Sequence, residues 1–408
     1  MKGKIRYFDG LRGLAALVVV IQHYILAFYP AIFSRSDELR HTSYAFETTL
    51  ASTPFNIFFN GNFAVCIFFV LSGYVLTNKF FITKNAEYIT AGACKRYIRL
   101  MVPVLVIIST AYIFMKLSLF NNIEVAKITL SSNWLATTYD FEPNLMSMLK
   151  QATFGVFVGS DFSYNTSLWT MGYEFLGSFL VFSLAIIFGK LKKRYIFYTI
   201  TAIYFVKTYY LAFILGMILS DCYNSNYEII RKLKGRCASI ICLILGLFMG
   251  SYPLVPTDNT IYKYMNIESF EPGVFYRTLG AVLLMIAIMN SKLLIEFFSS
   301  KVMIFLGKIS FSMYLIHLII ICSFSGALFT STLPYLSYNK AFILTFVVSM
   351  ILIFIISYYY CKYVDDTAVK LSSYVYKKIF LNDSSADVIN NKDINRKIDV
   401  KQNIKVIE

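Results

Sequence analysis

Charged residues are scarce in this chain. Only 15% of its 408 residues are Asp, Glu, Lys or Arg, whereas 57% are hydrophobic and the mean hydropathy is +0.61. Soluble globular proteins carry about one-quarter charged residues, so this composition excludes an ordinary water-exposed surface. The hydrophobic residues also form runs close to the roughly 20 residues that cross a bilayer as a helix. The sequence therefore predicts an all-α, polytopic integral membrane protein.

Metal-binding and disulfide patterns are missing as well. The three histidines, His23, His41 and His317, form no close pair in the sequence, and the seven cysteines contain no CxxC spacing. Zinc sites need clustered Cys and His ligands, and a disulfide framework needs an even number of cysteines in exposed loops. The sequence therefore predicts no metal site, and we interpret the cysteines as small buried hydrophobic residues.

Nucleic acid is excluded as a partner by the positions of the basic residues, despite a net charge of +15. Lys and Arg cluster in short connections between the apolar runs, which is how they orient helices with cytoplasmic loops positive. The partner that this pattern indicates is the lipid bilayer.

Ten membrane spans with both termini in the cytoplasm fit the hydropathy and the charge rule. The segment 194–222 admits one long tilted helix or two short helices broken near "FVKTYY". Two helices keep the basic segments, including "IIRKLKGR" (229–236), on the cytoplasmic side, and are therefore preferred. The predicted spans are about 12–33, 63–82, 100–119, 166–189, 194–206, 208–222, 237–251, 273–290, 303–325 and 339–361.

Residues 1–380 are predicted to form one transmembrane domain, followed by a short polar tail at 381–408 whose composition is typical of disorder. On the outer side, the loop at 120–165 is long enough to be functional. It contains Trp134, Tyr139 and Phe141, so we expect it to be partly folded over the outer mouth.

Arg12 and His23 are the first ionisable residues inside a predicted span. Eleven residues at about 100° each return to within roughly 20° of the starting direction and rise about 16 Å, so both lie on one face of the first helix. Such residues are costly in a membrane and are functional candidates by default. The alternatives are an interfacial anchor for Arg12 and an interhelical hydrogen bond for His23.

This spacing fits a small acyl thioester of coenzyme A. The phosphates would meet Arg12 at the cytoplasmic face, since guanidinium suits phosphate, and the pantetheine arm would bring the thioester close to His23. An imidazole is the natural base for removing a proton from an acceptor hydroxyl. No seryl or cysteinyl nucleophile lies beside a base in the sequence, which favours direct transfer.

Further polar groups occur inside other spans. Arg96 and Arg99 lie one turn apart and either add phosphate contacts or only set topology. Glu174 has three candidate roles, namely orienting His23, acting as a second acid or base, and binding an acceptor hydroxyl, with a hydrogen-bonding strut as the alternative. Trp169 either stacks on a sugar ring or belongs to an interfacial belt.

A polar stripe runs along one face of a late helix, at Ser310, Tyr314 and His317, which have i, i+4 and i+7 spacing. We expect the stripe to point into the bundle, and we interpret His317 as structural or substrate-lining. Arg277 lies near a predicted outer end, where its side chain is expected to reach the interface.

Five segments of the chain match a known family pattern in order. Together they resemble the acyltransferase-3 family of bacterial membrane O-acyltransferases. The segments are "FDGLRGLAALVVVIQH" (8–23), "IFFVLSGYVLT" (67–77), "KRYIRLMVP" (95–103), "LWTMGYE" (168–174) and "LGKISFSMYLIH" (306–317).

The resemblance implies ten core helices in the bacterial cytoplasmic membrane and an acyl-CoA donor, most simply acetyl-CoA, with no tightly bound cofactor. It implies an acceptor hydroxyl on a cell-envelope glycan. By position it implies His23 as a catalytic residue and Arg12, Arg96 and Arg99 as donor-binding residues. To these we add Glu174 as a second catalytic candidate. The candidate substrate contacts are Ser72, Trp169, Ser310, Tyr314 and His317. The alternative class is a secondary transporter or flippase, in which buried His and Glu residues are also usual.

Overall fold

The computed structural model describes residues 5–225, 235–258, 260–267 and 272–380. Throughout these ranges every regular element is a helix and none is a strand, which confirms the all-α prediction. Seven of the helices are long and apolar enough to cross a membrane, as in a multi-pass membrane protein. The predicted tail at 381–408 and residues 229–234 of "IIRKLKGR" lie outside the described residues.

Within the described ranges, eleven helices of ten or more residues form the framework. They are α1 (Arg6–Phe28), α2 (Gly61–Thr83), α3 (Glu87–Lys116), α4 (Trp169–Phe188), α5 (Arg194–Tyr204), α6 (Tyr210–Asn224), α7 (Arg236–Gly250), α8 (Gly273–Asn290), α9 (Lys301–Ile320), α10 (Tyr338–Tyr360) and α11 (Asp366–Phe380). α9 continues through a π turn into Gly326–Thr332, and α10 continues through another into α11.

The first and third helices begin earlier than predicted. α1 runs from Arg6 to Phe28 instead of 12–33, because Asp9 in its first turn suits the positive end of the helix dipole and Pro30 disfavours helical backbone at the residue before it. α3 begins at Glu87, also an acidic first-turn residue, well before the predicted residue 100. Arg12, Arg96 and Arg99 therefore lie inside helices and not at their starts.

The break predicted near "FVKTYY" is present, since α5 ends at Tyr204 and α6 begins at Tyr210. The count of ten spans and the cytoplasmic location of the termini stay predictions. α5, α6 and α7 have only 11, 15 and 15 residues, shorter than the roughly 20 residues that cross a bilayer.

α1 packs most extensively against α9, and its glycines make the approach possible. A Cβ on Gly13 would overlap the backbone of Leu306 and Gly307, and a Cβ on Gly307 would overlap the backbone of Asp9. Small residues allow this closeness between membrane helices. The close approach holds α1 against α9 over their first halves, from which both helices continue to their histidines.

The segment 120–165 is folded, as predicted. It contains the short helices Asn122–Thr129 and Leu145–Lys150, and the Tyr139 ring stacks on Phe120 with 4.0 Å between centroids. The hydroxyl of Ser131 donates to the carbonyl of Leu26 at 2.7 Å. This segment therefore covers the second half of α1.

The expectation that Arg277 reaches the membrane interface is wrong. Its side chain is 2% exposed, and it donates to the carbonyl oxygens of Tyr252 at 3.1 Å and Pro253 at 2.7 Å. Arg277 therefore ties α8 to the segment after α7 from inside the protein.

The seven cysteines are all free, four are buried, and Cys237 is exposed.

Candidate active site

A cavity of about 360 Å³ lies among α1, α2, α3, α4, α9 and the region where α10 joins α11. Its volume is in the range of small-molecule sites. Of the ten predicted site residues, seven line it, namely Arg12, Ser72, Arg96, Arg99, Glu174, Ser310 and Tyr314. Three guanidinium groups from two helices therefore meet in one cavity, and those not compensated by a carboxylate are suited to an anionic ligand.

Arg96 and Glu174 form an ion pair in this cavity. Arg96 donates both to the carboxylate of Glu174 and to its backbone carbonyl, and the two side chains are only 8% and 15% exposed. The hydroxyl of Ser72 donates to the same carboxylate oxygen at 2.7 Å. One carboxylate on α4 thus joins α2 and α3, and the charge of Arg96 is largely compensated.

The other two arginines are more open to the cavity. Arg99 is exposed and lines the cavity one turn from Arg96. Arg12 is 32% exposed at its side chain and lies 3.4 Å from Asp9, its neighbour one turn earlier. Asp365 and Asp366 line the same cavity, so it combines acidic and basic groups.

The polar stripe of α9 points into the bundle, as predicted. The Tyr314 hydroxyl donates to the backbone carbonyl of Ser167 at 2.6 Å and lies 2.7 Å from the Thr170 hydroxyl. Ser310 is buried and donates to the carbonyl of Gly307 at 3.0 Å. The contacts of Tyr314 hold the start of α4 against α9 at the edge of the cavity, whereas the bond of Ser310 lies within α9.

His23 and His317 lie together, although 294 residues separate them in the chain. Nε2 of His317 is 3.2 Å from Nδ1 of His23, and the Trp134 ring lies 5.3 Å from the His23 ring, centroid to centroid. Neither histidine lines the cavity. Tyr314 does, and its ring centroid is 6.0 Å from that of His317, so the pair is adjacent to the cavity.

Two predicted roles find no matching contact. In the described part of the chain, the Glu174 side chain bonds to Ser72 and Arg96 and not to His23. Trp169 packs against Tyr173 and Tyr209 and does not line the cavity.

Sequence reasoning missed the nearness of Trp134 to His23, and no local signal indicates it. It also missed Asp9 as the partner of Arg12, although their i, i+3 spacing is a readable signal.

Comparisons with known proteins cover nearly all of this chain. The profile of the family described as an acyltransferase domain matches residues 5–362, a range that contains all ten predicted site residues. The acyltransferase clz18 of Cochliobolus lunatus is 24% identical over an alignment 396 positions long, which covers 79% of this chain and 84% of that protein. The O-acetyltransferase PaAT-1 of Phomopsis amygdali is 20% identical over an alignment 429 positions long, which covers 91% of this chain and 84% of that protein. No solved structure matches the chain.

Proposed function

We propose that this chain, which belongs to the acyltransferase-domain family, moves an acyl group from a coenzyme A thioester to a hydroxyl of a cell-envelope glycan. The observation that carries the proposal is the cavity in which Arg12, Arg96 and Arg99 meet, next to the pair formed by His23 and His317. A long donor with phosphates at one end and a thioester at the other suits this arrangement. Membership of the family supports acyl transfer over transport.

The phosphates of the donor would contact the exposed Arg99 and the partly exposed Arg12, because both guanidinium groups face the cavity. Bidentate contacts between guanidinium and phosphate are strong and directional. Arg96 acts differently, since its charge is already paired with Glu174. Its part is to hold α3 and α4 together, and with them the wall of the cavity.

The chemistry is assigned to His23. Its imidazole accepts the proton of the acceptor hydroxyl while that oxygen bonds to the thioester carbonyl carbon. When the tetrahedral intermediate collapses, the C–S bond breaks and its electron pair stays on sulfur. The proton then passes from His23 to the thiolate, so the products are an ester and free coenzyme A.

Glu174 is the second candidate for an acid or base role, and its contacts suggest how it would act. The carboxylate contacts Ser72 and Arg96 in the cavity proposed to bind the donor, and it does not contact His23. It would therefore act on the donor or on the shape of the cavity.

The acyl group and the acceptor are inferred from likeness. The relative PaAT-1 is named an O-acetyltransferase, which supports an acetyl group transferred to oxygen. The resemblance to bacterial membrane O-acyltransferases supports a cell-surface polysaccharide, such as lipopolysaccharide O-antigen, capsule or exopolysaccharide, as the acceptor. It also supports the bacterial cytoplasmic membrane as the location.

The test uses the full chain purified in detergent. Acetyl-CoA is expected to raise the Tm, and release of free thiol is expected to depend on His23, falling by about 10²- to 10⁴-fold in His23→Gln, the usual contribution of a general base. His41→Gln is the matched control, because His41 lies in the loop after α1, outside the cavity. Equal rates for His23→Gln and the wild type would refute the base, and the absence of any Tm shift with acetyl-CoA would refute the donor.

The acceptor is tested in the cell. Deletion of the gene is expected to remove O-acetyl groups from an envelope glycan, measured by mass spectrometry of the isolated polysaccharide. An unchanged O-acetylation pattern across the envelope glycans would contradict the proposed acceptor class while leaving acyl transfer itself intact.

A further inference from the structure

The hydrogen bonds of His23 and His317 determine which ring nitrogens carry protons. Nδ1 of His23 is 2.8 Å from the carbonyl oxygen of Val19, one turn earlier on α1. Nδ1 of His317 is 3.2 Å from the carbonyl oxygen of Met313, one turn earlier on α9. Nε2 of His317 lies 3.2 Å from Nδ1 of His23. One nitrogen–nitrogen contact therefore joins the two imidazoles, and each Nδ1 also contacts a carbonyl oxygen of its own helix.

A carbonyl oxygen only accepts hydrogen bonds, so each Nδ1 must donate to its carbonyl. With its single proton on Nδ1, a neutral His317 has a lone pair on Nε2. That lone pair accepts from Nδ1–H of His23, whose hydrogen is shared with the carbonyl of Val19. All three contacts are then favourable.

The opposite assignment fails. If Nε2–H of His317 donated to Nδ1 of His23, that nitrogen would present its lone pair to His317 and could not donate to the carbonyl of Val19. In the neutral form Nδ1 of His317 would likewise lack its proton, facing the carbonyl of Met313. Two of the three short contacts would then join two acceptors, which is repulsive.

We propose that His317 is a positioning residue for the base, an inference that rests on the proposed function. By accepting from Nδ1–H of His23, it holds that ring in the one neutral tautomer whose Nε2 carries a lone pair. His23 is half-buried, and Nε2 has no hydrogen-bond partner among the described residues. This nitrogen is thus left for the acceptor hydroxyl, and a partner that orients the base is a recurring element of nucleophile activation.

The arrangement also suits the charged state that follows proton abstraction. When Nε2 of His23 gains a proton, Nδ1–H becomes a charge-assisted donor, and its bonds to Val19 and His317 strengthen. His317 stays neutral, so no second charge is placed beside the imidazolium. The rings are kept in register because α1 and α9 approach closely at Gly13 and Gly307, and Trp134 packs near the ring of His23.

The tautomers are measurable because the chain has only three histidines. The full chain in detergent, labelled with ¹⁵N-histidine, gives six ring nitrogen signals, assigned with His23→Gln, His41→Gln and His317→Gln. We expect His23 and His317 to be neutral with the proton on Nδ1, and a scalar coupling between Nδ1 of His23 and Nε2 of His317 across the hydrogen bond. A proton on Nε2 of His23 in the resting protein overturns the proposal.

Kinetics separate positioning from a merely structural role. In His317→Leu, which removes the acceptor, kcat is expected to fall by roughly 10-fold or more, below the full loss of a general base, with the KM for acetyl-CoA little changed. His317→Gln, which keeps an acceptor near the position of Nε2, is expected to recover part of kcat. An unchanged kcat in His317→Leu, or no recovery in a folded His317→Gln, overturns the role.

The two readouts also keep this inference distinct from the proposed function. The ¹⁵N signals report the tautomers whether or not the protein transfers an acyl group, so a wrong reaction leaves that measurement valid. If His23→Gln abolishes transfer while His23 in the wild type carries its proton on Nε2, only the role of His317 fails. Size-exclusion profiles and Tm values show whether His317→Leu is folded, and where it is not, the Gln variant decides.

Discussion

Arg96 of α3 and Glu174 of α4 form a buried ion pair, with side chains 8% and 15% exposed. The carboxylate also accepts from Ser72 of α2, so one group holds three helices at the wall of the cavity. A buried charge that loses its partner is costly, because neither water nor a counter-ion replaces it. The pair therefore distinguishes two of the arginines: Arg96 is held in the wall of the cavity by Glu174, whereas Arg99 is exposed and lines the cavity.

Breaking this pair is expected to destabilise the protein. Glu174→Gln and Arg96→Met should each cost about 3–5 kcal/mol, the usual cost of leaving a buried charge unpaired, and lower the Tm. The double variant should recover part of that loss, which a double-mutant cycle in the detergent-solubilised protein measures. Glu124→Gln is the matched control, since Glu124 and Lys127 form an exposed pair with side chains 71% and 67% exposed, and it should leave the Tm unchanged. Additive single effects would contradict the coupling.

Arg99→Ala is expected to weaken donor binding with little effect on stability. A hydrogen bond to a charged group contributes about 1.5–3 kcal/mol, so the KM for acetyl-CoA should rise by roughly 10- to 100-fold. Added salt should reduce the difference in KM between the variant and the wild type, because Arg99 is open to solvent and salt screens its charge. Steady-state kinetics at two salt concentrations measure this, with Lys127→Ala, on the exposed face of the 120–165 segment, as the control. An unchanged KM for acetyl-CoA in Arg99→Ala would show that Arg99 does not bind the phosphates.

The sequence determines some of these features and leaves others open. The period of the helix placed Ser310, Tyr314 and His317 on one face, and α9 presents that face to the bundle. Charge patterning predicted the break between α5 and α6, because the break depends on residues that are close together in the chain. In contrast, the pairing of Arg96 with Glu174, and of His23 with His317, depends on how distant helices cross. Hydrophobicity and spacing carry no information on that crossing, so the sequence allows Glu174 to be a hydrogen-bonding strut but does not identify Ser72 and Arg96 as its partners.

Trp134, and not Trp169, is expected to contribute to acceptor binding. Trp134 lies near His23, whereas Trp169 packs against Tyr173 and Tyr209, and the chain has only these two tryptophans. Trp134→Ala should raise the KM for a deacetylated envelope glycan by about 5- to 10-fold, as for loss of one aromatic contact of roughly 1 kcal/mol, with the KM for acetyl-CoA little changed. Kinetics of both alanine variants measure this. A larger rise in the KM for the glycan in Trp169→Ala than in Trp134→Ala would instead assign acceptor binding to Trp169.

His41, in the loop after α1, is expected to make stability depend on pH. Its ring stacks on Tyr338 with 3.9 Å between centroids, and burial lowers the pKa of His41 below its ordinary 6.5, although the Thr129 carbonyl and Glu47 oppose the shift. The unfolded chain therefore binds the proton more tightly than the folded one. The stabilising contribution is complete above pH 6.5 and is lost as the pH falls through the lowered pKa. Between pH 7 and pH 5, the Tm of the wild type should drop more than that of His41→Gln; parallel curves would contradict this.

The close crossing of α1 and α9 at Gly13 and Gly307 is expected to set the distance between His23 and His317. A side chain at Gly307 would overlap the backbone of Asp9, so Gly307→Val forces the helices apart, and overpacking of this kind costs about 1–3 kcal/mol or more. We expect a lower Tm and, because His23 and His317 separate, loss of the nitrogen–nitrogen coupling between them together with a fall in kcat. Gly159→Ala is the control, because a Cβ there meets no atom within 4 Å, and it should behave as the wild type. If Gly307→Val kept both the coupling and kcat, the glycine contact would not be what sets the distance between the two rings.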